Sequence, residues 1–310
     1  MTYGISYNIK TAMVKLMMKR HLIIACMITI LNAAFVNGYS ADRHALIEWK
    51  ESGSVDWTSG VVEARGTVIP PAYTYYGKPQ ANQQKTLARA TSKAHHNLLE
   101  TIVGLRINAE SRVIDIVETY PAIMAQLRGM IQKAPEIEKL RQLQYDGTVE
   151  VWSRMNLNGG FSQLILPPEI RHIEPIKQVV TPRNYKMTQT QSRSSRIYSG
   201  MVVDARGMRA VPVLVPKILD EHLEEVFGPA YVSREFAVQH GVARYTTDIR
   251  KAKLNERISE NPLIVKALKV LWPGRCDFII SNADAAKLKS ASEHLKFLKE
   301  CRVIIVLDPR

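Results

Sequence analysis

The chain has 310 residues, with 42 lysine and arginine against 29 aspartate and glutamate side chains, a formal net charge of +13. Only three cysteines are present, which excludes a fold held by a disulfide framework. The sequence lacks a basic stripe interleaved with aromatic residues, so we expect no nucleic-acid partner. The length suits two modest domains.

Residues 1–38 predict a start-site extension followed by a secretory signal peptide. A basic cluster at residues 19–21 precedes an apolar run over residues 22–36. The run is too short to anchor the chain in a membrane, and small residues near Gly38 offer a cleavage site after that glycine. We therefore expect an exported protein that begins at Tyr39 and retains 38 basic and 29 acidic residues.

Cys26 lies in a stretch with the letters of a bacterial lipoprotein box. Only four residues separate it from His21, and apolar sequence continues for ten residues beyond it. Because a lipoprotein signal needs a longer apolar region before the cysteine, we expect Cys26 not to be lipidated. Association with the outer membrane would then depend on protein surfaces.

Residues 39–160 predict an antiparallel sheet backed by a helix. A strand over residues 57–69 is followed by apolar residues at steps of three and four, and Gly104 is a natural helix stop. The helical positions are Leu87, Ala90, Ala94, Leu98 and Ile102. A second helical stretch begins near Ser111 and is interrupted by Pro121.

A turn at Asp146 and Gly147 comes before a strand with strict alternation, which is typical of a hairpin. One face of that strand would carry Val149, Val151, Met155 and Leu157, and the other Glu150, Trp152 and Arg154. The following residues 161–196 are rich in proline, serine and basic side chains and predict a linker. That linker is either a solvated tether or a contact surface for an anionic partner.

The rest of the chain, residues 197–310, predicts a second, mixed α/β domain. A strand over residues 197–204 is followed by an apolar run over residues 211–219, whose prolines indicate edge positions. A helical segment is expected within residues 243–254.

The chain then predicts a hairpin formed by residues 263–271 and 276–280. Ser281 or Asn282 can cap the next helix, and residues 301–307 follow as a buried strand. The apolar face of that helix would be Leu288, Ala291, Leu295 and Leu298. The predicted fold class is therefore α+β, with two small α/β domains: a helix-backed antiparallel sheet, then a mixed sheet that ends in a βαβ unit.

Three carboxylates are the candidates for chemistry. Asp204, Asp277 and Asp308 lie at the ends of predicted strands and would serve acid-base catalysis or cation binding if they converge. The sequence has no Walker loop, dinucleotide fingerprint or serine-hydrolase elbow. We assign no catalytic residue, metal ligand or cofactor, and we keep the three aspartates as speculative ligand-binding residues.

Other polar or reactive residues receive structural interpretations. His95 and His96 are adjacent on a helix, so their side chains diverge and we expect both to be solvated. The acidic stretch at residues 220–225 lacks metal-ligand spacing and predicts a polar hairpin tip. Cys276 and Cys301 open two apolar runs, and a disulfide between them is possible if the two strands are neighbours.

The letters VVEARG at residues 61–66 recur as VVDARG at residues 202–207. One interpretation is a shared binding pair of acid and arginine. The other, which we favour, is that each copy is an edge strand that ends in a glycine turn with a surface ion pair.

Several segments carry a family resemblance. GVVEARG at residues 60–66, ARATSKAHHNLL at 88–99 and YDGTVEV at 145–151 lie in the first half. Over residues 57–157 they resemble the Lpp-twenty lipoprotein family, whose relatives include flagellar assembly proteins P and T. In the second half, YSGMVVDARG, ISNADA and CRVIIVLD are similar to a C-terminal module that accompanies such domains in exported proteins of uncharacterised function.

The resemblance implies a compact α/β domain and a non-enzymatic role in outer-membrane or flagellar assembly, and it brings no catalytic residues. We therefore expect an exported cell-envelope protein, in the periplasm or at the outer-membrane periphery of a Gram-negative bacterium. Its partners would be envelope or flagellar proteins or a second copy of the chain. The alternatives are a periplasmic enzyme, a small-ligand or metal binder that uses the three aspartates, and a peptidoglycan-associated module suggested by location and charge.

Overall fold

The computed structural model describes residues 44–69, 79–137, 142–143, 148–171 and 197–309. The predicted signal peptide with Gly38 and Cys26, the turn at Asp146 and Gly147, and most of the predicted linker lie outside the described residues. Residues His44–Arg310 group into one compact unit. The division of this unit into two domains stays a prediction.

The first half contains a five-stranded antiparallel sheet. Its strands are β1 (Ile47–Lys50), β2 (Gly53–Asp56), β3 (Val61–Val68), β4 (Gln142–Leu143) and β5 (Val149–Asn156). Their order in the sheet is β1-β2-β3-β5-β4, with every neighbouring pair antiparallel. The sequence predicted the region of β3 but not β1 or β2, which are short and not strictly alternating.

The predicted alternation of β5 is confirmed. Val149, Val151 and Met155 are buried, whereas Glu150 and Arg154 lie on the other, more accessible face. The full register of β5 against β3 pairs Val68 with Val149 at one end and Val61 with Asn156 at the other. Because side chains alternate with period two, this register places the apolar set on one face.

Three of the described helices lie between β3 and β4, and the longest covers the sheet. They are α1 (Pro79–Val103), α2 (Val113–Thr119) and α3 (Pro121–Gln132). The predicted apolar positions of α1 from Ala90 to Ile102 are buried, and α1 packs across β3 and β5. Pro121 separates α2 from α3 and occupies the first turn of α3, where a missing N–H costs no helical hydrogen bond.

The packed chain of the first half continues past the expected boundary at residue 160. Helix α4 (Gly160–Ile165) buries Phe161 and Ile165, and Ile170 is buried beyond it. Arg234 donates hydrogen bonds to the carbonyl oxygens of Gln163, Pro167 and Ile170. The buried apolar side chains and the hydrogen bonds from Arg234 therefore attach the start of the predicted linker to the compact unit.

The second half is built on two four-stranded sheets. The parallel sheet contains β6 (Gly200–Asp204), β9 (Arg244–Thr246), β10 (Pro262–Lys266) and β13 (Val303–Val306), in the order β10-β6-β13-β9. The mixed sheet contains β7 (Ile218–Leu219), β8 (Glu225–Phe227), β11 (Lys269–Val270) and β12 (Phe278–Ile279), in the order β11-β12-β7-β8. Strand β13 is buried along its whole length, as expected for a central parallel strand.

Four helices of the second half connect these strands. They are α5 (Arg234–His240), α6 (Ile249–Lys253), α7 (Asn282–Lys289) and α8 (Ser292–Lys299), with a 3-10 turn at Glu256–Ile258. Ser281 is the N-cap of α7, since its hydroxyl accepts a hydrogen bond from the backbone N–H of Asp284 at 3.1 Å. Among the described helices, none combines the length and the hydrophobicity of a membrane-spanning segment.

The apolar run at residues 211–219 differs from the predicted edge strand. Only Ile218 and Leu219 form a strand, and β7 is an inner strand of its sheet. The rest of the run is mostly buried coil, and its backbone N–H groups donate to other elements. Leu214 and Val215 donate to the carbonyl oxygens of Arg106 and Ile107 in the first half.

The helical segment expected within residues 243–254 is confirmed as α6 (Ile249–Lys253). It follows β9, whose residues 244–246 pair in parallel with β13. The predicted single helix after Ser281 is broken at Ser290 and Ala291, which shifts the phase of its apolar face. His294, Phe297 and Leu298 are therefore buried in α8, and Leu295 is half exposed.

The last part of the chain connects two sheets. The predicted hairpin is confirmed only where β11 pairs antiparallel with β12, because residues 262–266 join the parallel sheet instead. Helices α7 and α8 lead from β12 in the mixed sheet to β13 in the parallel sheet, so this segment is not a βαβ unit within one sheet. Cys276 and Cys301 are both free and buried, since their runs are not neighbouring strands. The α+β class itself is confirmed.

Candidate functional site

The carboxyl ends of the parallel strands carry two of the three predicted aspartates. Asp204 ends β6, and Asp308 follows β13, which pairs directly with β6. The Arg206 guanidinium binds Asp204 in a bidentate pair, with Nε at 2.8 Å and Nη2 at 2.7 Å. Both carboxylate oxygens of Asp308 accept from the backbone N–H of Gly207 at 2.9 Å. Parallel pairing therefore brings these two aspartates to the same turn.

Arg206 is the centre of this cluster. Its hydrogen bond to Asp204 raises the pKa of Arg206, and the charges of Asp248 and Asp308 add to that effect. In return, the Arg206 hydrogen bond holds the pKa of Asp204 below its usual range, against the opposing effect of burial. Both carboxylates therefore already accept hydrogen bonds from groups of the chain itself. This arrangement is typical of a structural ion-pair cluster.

Asp277 does not join the other two aspartates. It precedes β12 in the mixed sheet and accepts a hydrogen bond from the backbone N–H of Lys217 at 3.3 Å. Burial raises its pKa. The predicted set of three carboxylates is thus divided between two sheets. Across the described parts of the chain, no group of three His, Cys, Asp or Glu side chains is placed to hold a metal ion.

The other polar residues singled out from the sequence have structural surroundings. Residues 220–225 form the predicted hairpin tip between β7 and β8, where Asp220 Oδ1 accepts from the N–H groups of His222 and Glu224 at 3.0 Å. His96 is exposed as predicted. His95 is only partly exposed, and its Nε2 has no hydrogen-bond partner among the described residues.

The amino end of the parallel sheet contains a cleft of about 360 Å³. Arg244 begins β9 and Arg302 directly precedes β13, so parallel pairing brings both arginines to this end. The charged residues that line the cleft are His240, Arg244, Glu256, Arg257, Glu300 and Arg302, beside the ring of Phe236. We call this feature the arginine cleft.

Arg257 lines the arginine cleft and is held by backbone hydrogen bonds. Its guanidinium donates to the carbonyl oxygens of Cys301, His240 and Gly241, each at 2.6 Å. Burial lowers the pKa of Arg257 to about 10. Because these carbonyl oxygens satisfy its N–H groups, Arg257 holds together the loops before β9 and β13.

Arg244 and Arg302 differ from Arg257 in their partners. Arg244 donates to the carbonyl oxygen of Thr58 at 3.2 Å, and burial lowers its pKa. Arg302 donates from Nε to Glu300 at 2.8 Å and from Nη1 to the Ser259 hydroxyl at 3.2 Å.

His240 reports the electrostatic potential of the cleft. Burial lowers its pKa most, and the positive charges of Arg257 and Arg244 lower it further. The lining of three arginines and two glutamates gives the cleft a net positive charge. The cleft could not be predicted from the sequence, because its arginines are far apart in the chain and only the pairing of parallel strands brings them together.

A second surface runs along the open edges of both sheets in this half. Strand β10 is the outer strand of the parallel sheet, and β11 is the outer strand of the mixed sheet. We call residues 262–272, which supply both strands and the turn after them, the edge segment. Ile264, Leu268 and Trp272 in this segment are 43%, 52% and 78% exposed.

The alternation of the edge segment explains this exposure. Leu263, Val265 and Ala267 are buried. Ile264, Lys266 and Leu268 alternate with them and are exposed, so they lie on the outward face. At the C-terminal end of the edge segment, the Arg275 guanidinium lies 5.5 Å from the centroid of the Trp272 ring.

Comparison with known proteins gives a relative for this half. Residues 200–309 match the family model of the second domain of Tp0624 from Treponema pallidum. No curated protein matches the chain. The matched region contains both four-stranded sheets and the edge segment, so the similarity supports a module in the C-terminal part of the chain.

Proposed function

We propose that this chain is an exported, non-enzymatic protein of the bacterial cell envelope that works by binding other envelope proteins. The edge segment is the observation that carries the proposal. Its two strands have no strand neighbour on their outer side among the described strands, and apolar side chains are exposed along it. An open edge of this kind accepts an extended segment of another protein as an added strand.

The side chains of the edge segment define the partner that fits. Lys266 and Lys269 are exposed beside Ile264 and Leu268. Isolated lysines on an edge strand discourage pairing between identical copies, because like charges would face each other. The complementary partner is therefore an extended segment of an envelope protein that carries apolar and acidic side chains.

The cellular location in this proposal has two supports. The first is the predicted signal peptide, which together with a start-site extension covers residues 1–38 and implies export across the inner membrane. The second is the resemblance of residues 57–157 to the Lpp-twenty family and its flagellar relatives, which suggests an outer-membrane or flagellar assembly as the setting. The C-terminal match to a domain of a bacterial protein is compatible with both.

Charge substitution on the edge segment tests this proposal. Leu268→Glu places a negative charge where the partner's acidic side chains would lie, and Leu295→Glu is a matched control because Leu295 is 51% exposed. Tagged protein would be crosslinked in intact cells, purified, and its adducts identified by mass spectrometry. We expect a defined envelope protein with the unmodified chain and with Leu295→Glu, and its loss with Leu268→Glu.

Three outcomes would contradict the proposal. The first is the same adducts from all three proteins. The second is recovery of the unmodified chain in the cytoplasmic fraction. The third is an adduct formed only between two copies of the chain, which would replace the envelope partner by self-association. Thermal unfolding of both variants should match the unmodified protein, because both leucines are on the surface.

A further inference from the structure

The arginine cleft has the size of a small-molecule site and no role in the proposed protein contacts. Its volume of about 360 Å³ lies in the range of roughly 300–1,000 Å³ that is typical of ligand pockets. Its walls come from the starts of β9 and β13 and from the 3-10 turn before β10. Sites built on strand ends hold their side chains in fixed positions.

The charges of the cleft are unequally neutralised. Glu300 pairs with Arg302, and the N–H groups of Arg257 are used by backbone carbonyl oxygens. Arg244 has no carboxylate within ion-pair distance among the described residues, although the charge of Asp56 acts on it from farther away, and its one hydrogen bond is to the carbonyl oxygen of Thr58. Glu256 is the remaining acid of the cleft, and it is exposed. The cleft therefore has three arginines against two glutamates, which leaves a net positive charge.

An aromatic wall stands beside these charges. The rings of Phe236 and His240 are stacked, with centroids 6.5 Å apart and an angle of 27° between their planes. His240 also lies in the positive potential of Arg244 and Arg257. A guanidinium offers several N–H donors in a plane, the geometry that binds carboxylate and phosphate oxygens.

We propose that the arginine cleft binds a small anionic ligand, whose phosphate or carboxylate group is held by Arg244 and Arg302 beside the rings of Phe236 and His240. The ligand displaces part of the Arg302 contact with Glu300. Ligands of this class include phosphorylated small molecules and compact polycarboxylates.

Calorimetric titration of the purified protein tests this inference. The probes are inorganic phosphate and citrate, each at constant ionic strength in a chloride buffer, so that the phosphate and carboxylate sources are distinguished. We expect at least one probe to bind at a single site. Arg302→Gln should weaken that binding by at least tenfold, because it removes one of the two guanidinium groups that hold the anion.

The matched control is Arg206→Gln at the opposite end of the same sheet. Arg206 is exposed to a similar extent as Arg302 and also pairs with a carboxylate, so the two variants remove the same charge. We expect Arg206→Gln to bind the probe as the unmodified protein does. Equal weakening by both variants, or no binding of either probe to the unmodified protein, would overturn the proposal.

A spectroscopic readout makes the result independent of the variants' stability. In the unmodified protein, the ring resonances of His240 should shift on titration with the binding probe, whereas those of the buried His294 should not. A shift confined to residues outside the cleft would contradict the assignment. Because the edge segment and the arginine cleft use different residues, either proposal can fail without the other.

Discussion

Gly66 of strand β3 lies directly under Ala90 of helix α1. A Cβ built on Gly66 would overlap the carbonyl oxygen of Ala90 and the backbone nitrogen of Ala94. The helix therefore crosses the sheet at the one residue of β3 where a side chain has no space. This close approach determines how tightly α1 covers the sheet.

Alanine substitution of the two glycines in the repeated motif, Gly66 and Gly207, should separate the cost of a steric overlap from the cost of backbone strain. The added methyl group of Gly66→Ala would push helix α1 away from strand β3. We expect this variant to lower the free energy of unfolding by about 3 kcal/mol or to prevent folding. Gly207 has a φ of +82° and open space around its Cβ position, so Gly207→Ala should cost only about 1–2 kcal/mol of backbone strain. Urea denaturation measures both; a larger loss for Gly207→Ala would contradict the packing argument.

The same motif shows what the sequence could predict and what it could not. We predicted that both copies are edge strands that end in a glycine turn with an ion pair. Only the second copy has the turn, at Arg206 and Gly207, and an ion pair within the motif, between Asp204 and Arg206. In the first copy, Glu63 forms its ion pair with Arg154 of β5 instead. Both strands are inner strands of their sheets. The two copies of the motif have nearly the same six letters. These letters cannot specify that helix α1, which comes later in the chain, packs across the first copy.

Tyr245 should stabilise the junction between β9 and the coil before β7. Its hydroxyl accepts from the N–H of Val213 at 3.1 Å and donates to the carbonyl oxygen of Val213 at 2.8 Å. Tyr245→Phe keeps the ring, which packs edge-on against Trp57, but leaves two buried backbone groups unpaired. We expect a loss of about 1–3 kcal/mol in the free energy of unfolding.

The control for this prediction is Tyr120→Phe, because Tyr120 is exposed. Its unfolding free energy should change by less than about 0.5 kcal/mol. Chemical denaturation of both variants beside the unmodified protein gives the comparison. If Tyr245→Phe is as stable as Tyr120→Phe, the hydroxyl does not hold the Val213 backbone.

The two buried cysteines should be unreactive in the folded protein. Burial raises the pKa of both the Cys276 and the Cys301 thiol to about 12. At pH 8 only about one thiol in 10,000 is then ionised, and the thiolate is the reactive form. Peptide mapping after iodoacetamide treatment should find both residues unlabelled in buffer and labelled in denaturant. Rapid labelling of either one in buffer would show that its thiol is accessible.

The same pKa shifts predict a loss of stability at alkaline pH. A thiol whose pKa is raised by folding stabilises the folded state fully below its ordinary pKa of 9.0, and this stabilisation is lost as the pH rises toward about 12. We expect the free energy of unfolding to fall between pH 9 and pH 12. The double variant Cys276→Ala, Cys301→Ala should show a shallower fall over that interval, and an equal slope would contradict this cause.

The helix cap at Ser281 was predictable because capping is local. Ser281→Ala removes the acceptor for the N–H of Asp284 and should cost about 1 kcal/mol in unfolding free energy. Ser292→Ala is the control, since the Ser292 hydroxyl donates only to the adjacent Glu293 on the surface. Equal losses in urea denaturation would mean that the cap does not stabilise α7.

The candidate sites show the limit of local patterns more strongly. The sequence placed Asp204 and Asp308 at the ends of buried runs, and the structure brings them together because those runs are adjacent strands. Asp277 does not join them, since it precedes its strand and belongs to another sheet. The arginine cleft depends on the register of β9 against β13, which the letters of either strand do not specify.

Site-specific photocrosslinking at position 268 in intact cells tests the central claim most directly, because it asks what the edge segment touches. A photoreactive amino acid would replace Leu268 in one strain and Leu295 in another. We expect a single envelope protein to be captured at position 268 and not at position 295. Capture of the same proteins at both positions, or none at position 268, would contradict a contact function for the edge segment.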